Sequence, residues 1–441
     1  MKYTSIFFVV LGVAIGVFLS QAGYLDSSAQ LASDAANKTK SKMMQVAASA
    51  SGQDLTDIRM QVLLDNPRLL DRISEGGSFG GDNHSRVAAQ NMFGKHHQEA
   101  IDDVKAKTSI EAVGDRVWLI RMPIVNAALF ETDEGLVLVD AGMAPAGPAL
   151  VEAIKSVSEK PLHTIIFTHG HVDHAFGAWA LVNEWSPKVV AHENILLRFK
   201  RYMRIPGSLA KYMSQKTPQL PRSAEDIIFP TETFGGNDLT LNIGGEAFVL
   251  KHYPAETDDQ LFVWVPSRSA IVAADYYQGF LPNAGNGKRV QRYVEEWAEA
   301  LREMVALSPD LLLPMHGEVL EDKDEILANL SDLAAALQHI VDYTLAELDK
   351  GTRKDLIFQN AKLPPELTGK HSLRETYVSV KDISKMVLKQ YTGWWDDIPS
   401  HWTPALFEEV SAAVVQLAGN IEALDSFTRE LMQNDLPLAS H

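Results

Sequence analysis

Three imidazoles and a carboxylate crowd into the six positions from His169 to His174 of Thr168-His169-Gly170-His171-Val172-Asp173-His174, directly after the apolar run Ile165-Ile166-Phe167. Helices bring together residues three or four apart and strands bring together alternate residues, so side chains at relative positions 0, 2, 4 and 5 converge only on a loop. A loop at the carboxyl end of a buried strand meets that demand, and it is where α/β sheets hold their ligands. The cluster is a ligand set for two adjacent metal ions, and it points to a hydrolase.

The flanking pattern supports an α/β fold. Short apolar runs at 117–120, 127–130 and 136–139, separated by turn residues, predict sequential strands of a meander. A helix is predicted over 148–158, opened by a proline suited to a first turn, and another over 176–184. Strands resume at 188–190, 247–250, 261–265 and 270–274, an alternation in which helices cover sheets. Helical spacing takes over at 295–307 and 321–350 and in most of the chain after Tyr377. The expected division is a catalytic domain over 115–325 and a helical region over 326–441. Residues 23–114 are expected to be a linker, loosely ordered over 23–60, and an N-terminal extension.

Residues 6–19 are uninterruptedly apolar, follow Lys2 and precede Ser20-Gln21-Ala22, a small-x-small pattern. They predict a secretory signal over 1–22 and an exported, periplasmic or secreted protein, or a membrane anchor by residues 6–19 if the segment is uncleaved. The run is short of the ~20 apolar residues of a spanning helix. With no cysteine, disulfides, lipid attachment through cysteine and thiolate zinc sites are excluded. A net charge of −17, from 57 acidic and 40 basic residues, argues against a nucleic-acid partner. It also means that an anionic substrate needs a local basic group at the site.

Imidazole and carboxylate suit zinc and similar divalent ions. Two ions about 3.5–4 Å apart need roughly six or seven protein ligands, so distant segments must complete the set. Glu256, Asp275 and His316 each follow a predicted strand and supply the missing types. His252 is wrongly spaced to be a ligand and is expected to be structural. His192 is expected at the surface or behind the ligands, and His96-His97 on an exposed segment.

With these residues the chain resembles the metallo-β-lactamase superfamily, whose principal motif is His-x-His-x-Asp-His. The resemblance spans about residues 115–320 and implies an αββα sandwich, with Asp140 supporting the metal loop. It further implies that His169 and His171 hold the first metal, Asp173, His174 and His316 the second, and that Asp275 bridges the two. Glu256 stands where most members have histidine, which is similar to the bacterial alkyl sulfatases. Residues 276–283 and 287–289 resemble the alkyl sulfatase segment that carries a sulfate-binding arginine. Residues 391–396 with Pro399 resemble the start of the dimerisation domain of that family, which implies a homodimer. Two departures accompany the likeness: this sequence is expected to lack the family's sterol-carrier-like domain, and its bridging carboxylate is Asp275 where glutamate is typical.

The expected function is a dinuclear-metal hydrolase that cleaves alkyl sulfates with a metal-bound hydroxide oriented by Asp173 and Asp275. Three carboxylates and a hydroxide offset the four charges of two divalent ions. An anionic ester therefore needs a separate cation, for which Lys288 and Arg289 are the candidates. A third carboxylate favours harder ions; zinc is expected, with manganese or iron as alternatives. The alternative functions are a lactonase, β-lactamase or phosphodiesterase of the same superfamily, and a metal-binding or scaffold protein without turnover.

Overall fold

The meander predicted from the first apolar runs is present, and it begins earlier than expected. Strands β1 (Ser109–Gly114), β2 (Val117–Arg121), β3 (Asn126–Glu131) and β4 (Leu136–Val139) pair antiparallel in sequence order. Parallel strands β5 (Leu162–Ile166), β6 (Lys188–His192) and β7 (Glu232–Phe234) extend them into a seven-stranded sheet. The second sheet has five strands in the order β12-β11-β10-β9-β8, from β8 (Asp238–Ile243), β9 (Glu246–His252), β10 (Leu261–Val265), β11 (Ala270–Ala274) and β12 (Leu311–Pro314). In this computed structural model the described residues are 85–434 apart from 214, 216–218 and 286–288. The expected signal or anchor over 1–22, the expected linker over 23–60 and Lys288 all lie outside them. Among the described residues, no helix is long and apolar enough to cross a membrane.

Parallel pairing requires a crossover, and each crossover here carries helix. Helix α1 (Gln98–Lys107) precedes the meander, α2 (Gly147–Val157) joins β4 to β5, and α3 (Val172–Ala175) and α4 (Ala178–Trp185) join β5 to β6. Helix α5 (Ile195–Arg204) follows β6, and α6 (Val294–Leu307) joins β11 to β12. The long α7 (Lys323–Asp349) and α8 (Val380–Thr392) come next, then α9 (Phe407–Ala418) and α10 (Ile421–Asn434).

Period-two alternation in the second sheet decides which residues face which layer. Leu261, Val263 and Val265 of β10, Ala270 and Val272 of β11, and Leu311 and Leu313 of β12 join the core shared with β2 to β6. The intervening Phe262, Ile271, Ala273 and Leu312 face the other way, into a second core with Trp297 and Leu301 of α6, Leu330 and Leu337 of α7 and Ile383 of α8. The first sheet is covered on its far side by α2 and α4, through Leu150, Ile154 and Leu181. The result is an αββα sandwich.

Two parts of the expected layout differ from what is observed. The sheet starts at Ser109, inside the stretch assigned to the N-terminal extension, and His97 caps α1 by accepting from the Ala100 amide at 3.3 Å. Compactness also divides the chain elsewhere than at residue 325. Residues 85–352 with 356–393 form one unit, and 353–355 with 394–434 form the other. The physical reason is that α7 and α8 bury an apolar stripe on the second sheet, so they belong to its core.

His192, at the end of β6, is 4% exposed and lies flat on His252, at the end of β9, with ring centroids 3.5 Å apart and planes 14° apart. The pair links strands of the two sheets, and His252 Nδ1 bonds the Gln260 carbonyl at 2.9 Å. His252 is thus structural, as its spacing suggested, while His192 is buried and not at the surface. Burial, reinforced by His192, lowers the His252 pKa to about 4. Below pH 6.5 the unfolded chain takes up a proton here that the folded chain refuses until about pH 4, so stability is lost as pH falls through that window. In urea titrations at pH 7.5 and pH 4.5, His252→Gln is expected to lose less of its unfolding midpoint than the wild type does.

Candidate metal centre

Every functional side chain sits at the carboxyl end of a strand. His169 and His171 follow β5, with His171 at the N-cap of α3, while Asp173 and His174 lie in that short helix. Glu256 lies on the connection from β9 to β10, Asp275 directly after β11, and His316 two residues after β12. Two groups of donors result, each with its ligand atoms within 4.8 Å of one another: His169, His171, Glu256 and Asp275, and Asp173, His174 and His316. All seven residues named from the sequence are therefore brought together. His174 Nε2 and His316 Nε2 lie 3.3 and 3.5 Å from Asp275 Oδ1, and His169 Nε2 lies 3.9 Å from Asp275 Oδ2, which places this carboxylate between the groups.

The rings are aimed by what holds their far nitrogens. Buried Asp140 receives His174 Nδ1 at 2.7 Å and both the amide and the hydroxyl of Thr168 at 2.8 Å. His316 Nδ1 donates to the Ile124 carbonyl at 2.6 Å, and His169 Nδ1 meets the Thr168 hydroxyl at 3.1 Å. All three rings turn Nε2 inward, because a partner on one nitrogen fixes the tautomer and orientation of the other. Asp140, Ile124 and Ala274, which precedes Asp275, adopt left-handed backbone with φ of 65°, 81° and 47°. Such conformations cost of order 1–3 kcal/mol and gather at functional sites.

Glu256 is held by Asn283 Nδ2 at 2.6 Å and Arg292 Nη2 at 3.0 Å, both on Oε1. Its Oε2, with Asp275 Oδ1 and His174 Nε2, is buried and has no hydrogen-bond partner among the described residues. Orphaned buried polar atoms are costly, and donors of nitrogen and carboxylate type around one small volume suit a divalent ion. The residues present therefore fit two such ions. Burial keeps the His169 and His171 imidazoles well below their ordinary pKa, hence neutral and ready to ligate. Burial works against protonation of His174 too, but the charges of Asp275, Asp140 and Asp173 hold it up at about 10. The carboxylates thus already draw positive charge to this volume.

Arg289 is half-buried; its guanidinium lies over the Tyr377 ring at 5.9 Å and donates to the Tyr377 hydroxyl at 2.5 Å. Its charge acts on Glu256 in the same direction as that of Arg292. Sequence reasoning did not single out Arg292, Asn283, Arg198 or Asp259. Asn283 fell inside a quoted segment, whereas the arginines and Asp259 carry no local signal, since their partners are distant in sequence. The stretch 201–206 belongs largely to α5, with Tyr202 packed against Phe93 and Phe176.

Comparison with known proteins matches residues 121–316 to the metallo-beta-lactamase superfamily and residues 353–440 to alkyl sulfatase dimerisation. The chain carries a metallo-beta-lactamase domain, the class that the sandwich and its histidine loop define. Behind it lies the stretch matched to alkyl sulfatase dimerisation, and the relatives that the chain is similar to include alkylsulfatases. A linear primary-alkylsulfatase of Pseudomonas sp. (strain ATCC 19151) is 27% identical over 66% of this chain and 60% of its own length. The alkyl/aryl-sulfatase BDS1 of Saccharomyces cerevisiae is 22% identical over 71% of this chain and 53% of its own. The chain thus spans between half and two thirds of the length of these relatives. The structure of the stereoselective inverting sec-alkylsulfatase Pisa1 from Pseudomonas sp. has the same fold, with a TM-score of 0.66 at 19% identity over 75% of this chain and 58% of that one.

Asp140→Asn keeps the volume but weakens the charged acceptor that orients His174. It is expected to weaken an ion that Asp173, His174 and His316 would hold about 10- to 100-fold, read by metal titration with metal content measured on the same sample.

Proposed function

We propose that this protein is a dinuclear-metal hydrolase of alkyl sulfate esters. The observation that carries the reading is Glu256: a carboxylate among the ligands, with the cations Arg292 and Arg289 acting on it, in a domain followed by an alkyl sulfatase dimerisation region. His169, His171, Glu256 and Asp275 would hold one ion and Asp173, His174, His316 and Asp275 the other. Zinc is the expected metal, with manganese or iron as alternatives. Bound divalent ions would supply an activated water at neutral pH and polarise the ester. Asp173 and Asp275 would orient that water. Arg289 binds the sulfate oxygens, since a guanidinium offers two parallel donors to an oxyanion. Lys288, outside the described residues, remains its proposed companion from the sequence.

A panel of short and long alkyl sulfates, a β-lactam, a lactone and a phosphodiester, assayed with metal-reconstituted protein, tests the reading. Hydrolysis of the sulfates, abolished by chelation and restored by zinc or manganese, is expected; activity on the β-lactam alone would overturn it. Arg289→Ala should lose about 10- to 100-fold on a sulfate ester and less on a neutral lactone.

Export by residues 1–22, and a homodimer formed through the C-terminal region, belong to the same proposal. Within that region Trp402, Leu406 and Leu417 are 62, 66 and 88% exposed, large apolar side chains of the kind that oligomer interfaces cover. Light scattering is expected to give twice the chain mass for wild type and a shift toward the monomer for Leu417→Glu.

A further inference from the structure

Gly170 lies between two of the histidines, and its amide bonds a residue of another loop. The acceptor is a carboxylate 89 residues further along the chain: Gly170 N donates to Asp259 Oδ2 at 2.7 Å. Asp259 is 1% exposed, and its other oxygen accepts from Arg198 Nε at 3.1 Å. The same guanidinium reaches Asp258 Oδ1 at 2.8 Å, and Asn194 Nδ2 donates to the Asp258 carbonyl, also at 2.8 Å. Helix α5, which carries Arg198, leaves no room above Gly170: a Cβ there would sit 2.8 Å from Ile195 Cγ1 and 3.0 Å from Arg198 Cδ. Asp259 is three residues from Glu256. The contact therefore ties the loop bearing His169 and His171 to the loop bearing Glu256, the two segments that contribute to one ion.

We propose that Asp259, clamped by Arg198, is a positioning residue for the ion held by His169, His171 and Glu256, and not for its neighbour. This rests on the two-ion reading above. A buried amide must find an acceptor, and a carboxylate acceptor makes the bond shorter and stronger than a carbonyl would. An unpaired buried carboxylate would be costly, so Arg198 is what allows Asp259 to serve. The neighbouring ion's ligands have other anchors, Asp140 for His174 and the Ile124 carbonyl for His316. Losing the Asp259 contact therefore frees one ligand group and leaves the other in place.

The test is metal titration of the full chain with zinc and with cobalt, metal content and thermal unfolding being read on the same samples, for wild type, Asp259→Ala, Asp259→Asn and Arg198→Met. The expected result for Asp259→Ala is one ion per chain held with wild-type affinity and a second weakened about 10- to 100-fold. Asp259→Asn keeps an acceptor for Gly170 but loses the charge, and should fall between; Arg198→Met should follow it, and these two carry the comparison if Asp259→Ala does not fold. Equal weakening of both ions, or two ions of unchanged affinity together with a lower unfolding temperature, would make the cluster a stabilising one and overturn the inference alone. A wild type that takes up a single ion overturns the two-ion reading and this inference with it.

Discussion

The buried carboxylate of Asp140 is the point on which the rest of the site depends. It ends β4 in left-handed backbone, where its own amide still bonds the Ile166 carbonyl at 2.9 Å and keeps β4 in register with β5. Its side chain then takes the Thr168 amide, the Thr168 hydroxyl and the His174 ring. One group thereby fixes where the metal loop leaves the sheet and where its last ligand points. The Ala141 amide, donating to the His174 carbonyl at 2.6 Å, closes the same turn from the other side.

The first sheet cannot build the centre alone, because its strand ends supply only His169, His171, Asp173 and His174. Glu256, Asp275 and His316 come from the second sheet, so the packing of the two layers sets the distance between ligand groups. Asn126 on β3 shows how this is held: its side chain donates to the Pro314 and Gly317 carbonyls at 3.1 and 3.0 Å, and its amide to the Met315 carbonyl at 2.7 Å. His316 is thus positioned by a strand of the opposite sheet. The stacked pair of His192 and His252 makes a comparable link at other strand ends.

Some of this was legible in the chain and some was not, for identifiable reasons. Strands with continuous apolar runs, such as β4, β10 and β11, were readable because both of their faces are covered. Strands β1, β7 and β8 were not foreseen: much of each is exposed, β1 and β7 carry neither an apolar run nor a clear alternation, and the alternation of Asp238-Leu239-Thr240-Leu241-Asn242-Ile243 in β8 was not read. That the compact unit runs on past residue 325 was hidden for a related reason. Helical spacing in α7 announces an amphipathic helix, but not that its apolar stripe lies against the second sheet.

The sequence by itself determined the donor types, the loop that concentrates four of them and the three distant residues that complete the set, since that chemistry is carried by residue identity and by position after strands. Only the tertiary structure decided how each donor is aimed. The partners that do the aiming, Asp140 for His174, Ile124 for His316, Arg292 and Asn283 for Glu256 and Asp259 for Gly170, lie 27 to 192 residues away. Hydrogen bonds of that span leave no periodicity in a chain; they exist only once two sheets are stacked and their loops meet.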